Sequence, residues 1–192
     1  SVHRFSNNYV EILYKVLGNG TLSMSTFPVG MELDCLVGLG NGFDITKSKK
    51  PLLVAGGIGI APMFALIDEF NKLGIKPTLV YGSQCKADLV LVEELSKITD
   101  LRLTTDNGEC GFHGHPVKYL SENQIDFDYY YSCGPLRMLE GLANYSHNGC
   151  LSLEARMGCG FGACMGCTIK TTNGNKRVCK EGPVFEADEV IF

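Results

Sequence analysis

Four cysteines near the C-terminus have the residue type and the spacing of iron–sulfur ligands. In residues 155–167, ARMGCGFGACMGC, three cysteines follow the pattern C-x4-C-x2-C, and Cys179 comes after eleven further residues. This order is the plant-type spacing of the ligands of a 2Fe–2S cluster. Structural zinc sites usually take their ligands from two short pairs, and only Cys164 and Cys167 form such a pair. The spacing therefore predicts one 2Fe–2S cluster bound by Cys159, Cys164, Cys167 and Cys179. A zinc loop and a metal-free cysteine group remain the alternatives.

Glycines surround the four cysteines, at positions Gly158, Gly160, Gly162 and Gly166. Glycine adopts backbone dihedrals that are closed to other residues, so the loop can wrap tightly around a bulky group. It also lets backbone N–H groups approach cluster sulfurs, and such hydrogen bonds help to set the reduction potential. The glycines therefore favour the cluster.

The composition excludes several classes of partner. The 192 residues are 45% hydrophobic and 20% charged, which is typical of an ordinary globular protein, and the net charge is −4. A main role in nucleic-acid binding is disfavoured, since phosphate binding needs a basic face. No apolar run is long enough to span a membrane, so neither nucleic acid nor membrane is expected as a partner. The remaining five of the nine cysteines show no regular spacing, so a reducing cytoplasm is expected.

The pattern of the chain divides it into three regions. Residues 1–46 combine β-branched runs, NYVEILYKVL and MELDCLVG, with turn residues and are predicted to form strands. Residues 47–148 alternate short apolar strands with amphipathic helices, which predicts a parallel sheet covered by helices on both faces. Residues 149–192 contain the cysteine loop and short strands around it. The fold class is therefore α/β with a small C-terminal cysteine domain.

Two turns in the second region are candidates for binding a nucleotide. The segment VAGGIGIAPM, residues 54–63, joins a predicted strand to a helix, where glycines permit close approach to phosphate and the helix N-terminus attracts it. A tight strand–helix turn without ligand is the alternative. The segment SCGPLRM follows a later strand, and carboxyl ends of parallel strands share one edge of the sheet. Cys133, Gly134 and Pro135 should therefore face the glycine-rich turn, although a buried cysteine alone is more often a small core residue.

These three motifs together resemble the ferredoxin–NADP reductase superfamily. The segments LEARMGCGFGACMGC and RVCKEGPVF are specifically similar to the electron-transfer subunits of B-type, NAD-linked dihydroorotate dehydrogenases, and the resemblance extends over nearly the whole chain. It implies that the phosphates of NAD contact Gly56, Gly57, Gly59, Ile60, Ala61 and Pro62. It also implies that the nicotinamide lies beside Cys133, Gly134 and Pro135.

The resemblance further implies FAD on an N-terminal antiparallel β-barrel. Residues that match parts of the family's three FAD motifs are Ser1, then Leu13, Tyr14 and Lys15, then Gly20 and Thr21. Lys15 replaces the usual arginine and lacks its bidentate geometry. Because the arginine of the first motif would precede Ser1, the sequence is interpreted as a truncated member with a partial barrel and weak FAD binding.

The implied activity is electron transfer. Electrons from the FMN of a partner catalytic subunit would pass through the 2Fe–2S cluster and FAD to NAD, in pyrimidine biosynthesis, within a heterotetramer of two copies of each chain. No residue of this chain would act as acid or base on dihydroorotate. The alternatives are an NAD(P)H–ferredoxin or sulfide reductase subunit and, from another class, a zinc-stabilised nucleotide-binding regulator.

Two further predictions concern specificity and docking. The loop GSQCKADL offers Lys86 as its single cation near the expected ribose, and a 2′-phosphate site usually has arginine there, so NAD is predicted over NADP. In the cysteine loop, Met157, Phe161 and Met165 either pack under the cluster or form part of the surface that meets the catalytic subunit.

Overall fold

The structure is a computed structural model that describes residues 1–192. Short apolar strands alternate with amphipathic helices along most of the chain. In chain order the elements are β1 (Val2–Phe5), β2 (Val10–Ile12), α1 (Asn19–Ser25), β3 (Pro51–Gly56), α2 (Met63–Lys72), β4 (Thr78–Ser83), α3 (Val92–Ile98), β5 (Asp100–Thr105), β6 (Phe112–His113), α4 (Pro116–Glu122), β7 (Tyr129–Cys133), α5 (Leu136–Tyr145), β8 (Gly149–Ser152), β9 (Thr168–Thr171), β10 (Gly174–Arg177) and β11 (Val184–Glu186).

One seven-stranded sheet, in the order β11-β8-β7-β3-β4-β5-β6, forms the centre of the molecule. The strands from β8 to β6 in this order pair in parallel, and β11 is antiparallel to β8. The chain runs outward from β3 through β4, β5 and β6, and then returns to the other side of β3 as β7. This reversal between β3 and β7 is the point at which open α/β sheets bind ligands. The predicted parallel sheet is confirmed.

Helices cover both faces of the sheet because β3 is apolar at every position. Leu52 and Val54 belong to a core with residues of α4 and α5, whereas Leu53 and Ala55 belong to a second core with residues of α2 and α3. Alternate residues of a strand point to opposite faces, and all six residues of β3 are buried. A continuous apolar run is what a strand buried on both faces requires.

The N-terminal region contains less strand than the sequence predicts. β1 and β2 form a hairpin that packs on α2, where the His3 ring lies 4.2 Å from the ring of Phe64. Of NYVEILYKVL only Val10–Ile12 is a strand, and MELDCLVG, residues 31–38, contains none, so that prediction is wrong. Residues 31–38 are exposed and have no neighbouring strand, and an unpaired strand gains no ladder hydrogen bonds. The helix α1 was not predicted.

The C-terminal region contributes two strands, β8 and β11, to the central sheet. β8 pairs with β7, and β11 pairs with β8, whereas β9 and β10 form a separate hairpin. The cysteine loop connects β8 to β9. The predicted boundary between residues 148 and 149 therefore falls immediately before a strand of the sheet, and the division into three domains remains a proposal. No helix has the length and apolar character needed to cross a membrane.

Candidate functional site

The glycine-rich turn after β3 and the C-G-P turn after β7 are in direct contact. A Cβ added to Gly59 would lie 2.1 Å from the carbonyl oxygen of Cys133, and one added to Gly56 would lie 2.7 Å from Cδ of Pro135. A Cβ on Gly134 would lie 2.9 Å from the backbone nitrogen of Gly56. Only glycine permits backbones to approach so closely. The structure thus brings together the two turns that the sequence singled out.

A cavity of about 690 Å³ opens beside these turns, at the carboxyl edge of the sheet. Of the predicted residues, Gly56, Gly57 and Pro135 line this cavity. Gly59, Ile60, Ala61 and Cys133 are buried beneath it. The cavity lies at the switch between β3 and β7, where a dinucleotide is expected in a doubly wound sheet.

Three ionisable side chains that the sequence reasoning did not assign also line the cavity: Asp106, His115 and Arg137. Asp106 directly follows β5, and Arg137 lies in the first turn of α5. Lys86, the cation expected near the ribose, is not among the lining residues. The signal that would have found Asp106 is its position at the carboxyl end of a parallel strand.

His115 presents a defined hydrogen-bonding group to the cavity. Its Nδ1 accepts a hydrogen bond from the backbone N–H of Lys118 at 3.2 Å, which caps the N-terminus of α4. In the neutral ring the proton is then on Nε2, so that nitrogen is a donor. The segment HGHP therefore contributes a helix cap at the cavity rim, not a metal site.

Cys133 is a neutral thiol at the junction of the two turns. It is 3% exposed. Burial raises the pKa of this thiol to about 11, because the thiolate would lose its hydration. Cys133 therefore has no thiolate character near neutral pH, and it meets Gly59 through its backbone carbonyl group.

The three cysteines of the loop and Cys179, which follows β10, form two pairs. The sulfurs of Cys167 and Cys179 lie 3.2 Å apart and are buried. The side chains of Cys159 and Cys164 contact each other, and the N–H of Cys164 donates to Sγ of Cys159 at 3.4 Å. No group of three or more metal-binding side chains surrounds a single point. Two thiol pairs match a cluster of two irons, each with two protein ligands.

Backbone N–H groups point at the sulfurs. Sγ of Cys159 also accepts from Ala163 at 3.2 Å, Sγ of Cys164 accepts from Gly166 at 3.5 Å, and Sγ of Cys167 accepts from Cys179 at 3.4 Å. The pKa of the Cys159 thiol is lowered to about 6, mainly because the backbone N–H of Cys164 donates to its sulfur and stabilises the thiolate. Thiolates are the form that binds iron. This donor set fits an anionic cluster.

Arg177 holds the cysteine loop against the hairpin that follows it. Its Nη1 donates to the carbonyl oxygen of Gly162 at 2.6 Å, and its Nε donates to the carboxylate of Glu181 at 3.0 Å. Gly162 has φ +91°, and a Cβ there would lie 2.7 Å from Cδ of Lys180. The loop shape therefore depends on glycine at this position and on one arginine.

The residues that match the FAD motifs do not line the nucleotide cavity. Ser1 pairs with Leu13 through backbone hydrogen bonds, and Lys15 forms an ion pair with Asp88 at 3.3 Å. The hydroxyl of Thr21 accepts from backbone N–H groups at the start of α1. These contacts are made within the N-terminal region and with the loop after β4, and the role of the six residues toward FAD remains a proposal.

Two protein-family models match parts of this chain. Residues 154–191 match the iron–sulfur cluster binding domain of dihydroorotate dehydrogenase B, and residues 53–144 match the oxidoreductase NAD-binding domain. The chain is similar to the dihydroorotate dehydrogenase B (NAD(+)) electron transfer subunits of Fusobacterium nucleatum and Bacillus caldolyticus. The first is 39% identical over 95% of this chain and 74% of the relative, and the second is 38% identical over 94% and 74%.

A solved structure of an NADH-dependent reduced ferredoxin–NADP oxidoreductase, studied for flavin-based electron bifurcation, is also similar. Its TM-score is 0.83 at 28% identity, with 93% of this chain and 67% of that chain covered. The fold of this chain therefore has a counterpart in a solved redox protein.

Proposed function

The chain belongs to the family of electron transfer subunits of NAD-linked dihydroorotate dehydrogenase B, and from this premise we propose how its two sites serve that activity. The observation that carries the proposal is their shared edge of the sheet. The cysteine loop leaves the carboxyl end of β8, and β8 pairs with β7, whose carboxyl end forms the nucleotide crevice. One sheet thus supports a one-electron site and a hydride site side by side.

The cofactors of the family are a 2Fe–2S cluster, FAD and NAD. The cluster exchanges single electrons, nicotinamide exchanges a hydride, and a flavin exchanges either, so together they connect one-electron to two-electron chemistry. We propose that the three loop cysteines and Cys179 bind the cluster. We further propose that Gly56, Gly57, Gly59 and Ile60 to Pro62 bind the NAD phosphates. The turn at Cys133, Gly134 and Pro135 would hold the nicotinamide, and Ser1, Leu13 to Lys15, Gly20 and Thr21 would contact FAD.

An electron transfer subunit implies a catalytic partner. We propose that this partner contains FMN, oxidises dihydroorotate and assembles with this chain as a heterotetramer of two copies of each. The test is to mix the purified chain and catalytic subunit with dihydroorotate, NAD and an excess of FAD, because weak FAD binding is expected, and to follow NADH by its absorbance. NADH should form only when both subunits are present. Reduction of NAD by reduced ferredoxin at the same rate without the catalytic subunit would instead favour a ferredoxin reductase.

The cysteine loop offers an apolar surface to that partner. Met157, Phe161 and Met165 are 50%, 55% and 53% exposed, which supports a place for them on the surface that meets the partner. Cys164 is exposed between them. Exposed apolar side chains grouped around a redox site are typical of a protein interface.

The double variant Phe161→Ser with Met165→Ser should therefore weaken binding of the catalytic subunit. Loss of two apolar anchors at an interface is expected to raise the dissociation constant about 10- to 100-fold. Sedimentation or light scattering of the mixed subunits measures the complex, and the visible spectrum shows that the cluster is retained. Val29→Ser, at a fully exposed residue outside the loop, is the control. Unchanged affinity in the double variant would place the interface elsewhere.

Asp106 is expected to set the preference for NAD over NADP. Its carboxylate lines the cavity and takes part in no hydrogen bond or ion pair, while its own N–H donates to Ser83 at 3.1 Å. A free carboxylate accepts from a ribose hydroxyl and repels a 2′-phosphate. Asp106→Asn should therefore improve NADPH binding about tenfold while changing NADH binding little.

Direct titration of both nucleotides measures this change. The matched control is Asp188→Asn, which removes an exposed carboxylate outside the cavity. If the wild-type chain bound NADPH more tightly than NADH, the predicted preference would be wrong. If Asp106→Asn left the ratio of the two affinities unchanged, the assignment of Asp106 would be wrong.

A further inference from the structure

Arg137 is an unpaired cation at the nucleotide cavity. Arg4, Arg102 and Arg177 form ion pairs with Glu94, Asp100 and Glu181, whereas Arg137 has no carboxylate within ion-pairing distance and no hydrogen bond from its guanidinium. It is exposed and lines the same cavity as the glycine-rich turn. The cavity also contains Asp106, and the two opposite charges do not pair with each other. The Arg137 guanidinium is therefore free to bind an anion.

The surroundings of Arg137 also favour negative charge. It occupies the first turn of α5, a ten-residue helix whose first turn has no acidic residue and no side-chain cap. The N-terminus of such a helix carries a partial positive charge and free N–H groups. Across the cavity, Gly57 has φ +52°, and a Cβ there would meet no atom within 4 Å. The backbone of this turn, which lines the same cavity as Arg137, therefore leaves space for a ligand.

The position of Arg137 relative to the strands of the sheet indicates which phosphate group it would contact. Arg137 follows β7, directly beside β3, whereas Gln84 and Asp106 follow β4 and β5 on the other side of β3. In a doubly wound sheet the pyrophosphate lies at the turn after the first strand, and the adenosine ribose lies toward the second. Arg137 is thus placed for the pyrophosphate, and Asp106 for the adenosine ribose.

A buried hydroxyl lies behind the adenosine end of the cavity. The hydroxyl of Thr104 is fully buried and has no hydrogen-bond partner. It lies 2.7 Å from the point where a Cβ on Gly82 would stand, and Gly82 lines the cavity. A buried hydroxyl without a partner is uncommon in folded proteins. Thr104 packs directly behind the cavity wall, and glycine at position 82 leaves room for its hydroxyl.

We propose that Arg137 binds the pyrophosphate of the dinucleotide and provides the main cation of the nucleotide site. This inference rests on the proposed NAD function and adds a residue to it. The guanidinium presents two parallel N–H donors to the phosphate oxygens, which a lysine cannot reproduce. The 2′-phosphate of NADP is not its target.

The test compares Arg137→Gln with the wild-type chain in titrations of NADH, NADPH and ADP-ribose. All three ligands contain the pyrophosphate, so each should bind about 10- to 100-fold more weakly, as expected for the loss of a charge-assisted hydrogen bond. The wild-type affinity should fall with added salt, and the variant should show a flatter dependence. Arg137→Lys should recover part of the affinity. Lys76→Gln, which removes an exposed, unpaired cation before β4 at the opposite edge, is the matched control and should change nothing.

The outcomes separate this inference from the function on which it rests. A wild-type chain that binds none of the three ligands would overturn both. Normal binding by the wild type and unchanged NADH affinity in Arg137→Gln would overturn only the role of Arg137. Loss confined to NADPH would show that Arg137 contacts the 2′-phosphate, and would likewise overturn the assignment.

Discussion

Replacing Cys167 by serine should remove the 2Fe–2S cluster from the chain. Iron and acid-labile sulfide are expected to fall from about two of each per chain to near zero. Cys167 is 3% exposed, and its sulfur is 3.2 Å from that of Cys179, so its loss breaks the buried thiol pair of the proposed site. Chemical analysis of the anaerobically purified chain, its visible absorbance and the EPR signal after reduction measure the loss.

The control for this prediction is Cys35→Ser. Cys35 is exposed and lies outside the loop, so its replacement should leave iron and sulfide unchanged. Stoichiometric zinc without labile sulfide in the wild-type chain would contradict the cluster assignment and favour the zinc-stabilised regulator. A cluster retained at full content in Cys167→Ser would contradict the ligand set.

Gly59→Ala should abolish nucleotide binding. The added methyl group would lie 2.1 Å from the carbonyl oxygen of Cys133 and 2.8 Å from the nitrogen of Gly134. Both atoms are backbone, so the clash is relieved only if the turns after β3 and β7 separate, which destroys the crevice. Overpacking of this kind costs about 1–3 kcal/mol or more of folding free energy. We expect the NADH dissociation constant to rise at least about 100-fold, equivalent to about 2.7 kcal/mol.

Gly57→Ala distinguishes the clash from a general effect of losing glycine. A Cβ on Gly57 meets no atom within 4 Å, although φ +52° makes alanine unfavourable there by about 1–2 kcal/mol. This variant should lose stability in a thermal melt but keep a measurable affinity for NADH. Gly18→Ala, in open space, should change neither quantity. Wild-type NADH affinity in Gly59→Ala would show that the two turns do not form the binding site.

Features that depend on neighbours in the chain could be predicted from the sequence. The spacing of the four cysteines, the wholly apolar run of β3 and the helical period from Phe64 to Phe70 are local patterns, and the predicted parallel sheet is confirmed. The sequence also predicted that the glycine-rich turn faces the C-G-P turn, because the carboxyl ends of parallel strands lie at the same edge of a sheet. The roles of individual residues in binding the cluster and the nucleotides remain predictions.

Features that depend on which distant segments meet were decided by the tertiary structure alone. Residues 31–38 have the composition of a strand, yet they form none because no neighbouring strand pairs with them. Lys86 is close to the expected ribose in sequence but does not line the cavity, whereas Asp106 and Arg137 reach it from strands on opposite sides of β3. A strand forms only when a neighbouring strand pairs with it. A cavity at the carboxyl edge of a sheet is lined by the residues that follow those strands which the strand order places side by side. Neither condition can be read from a short segment of sequence, because both depend on strand pairing between residues that are far apart in the chain.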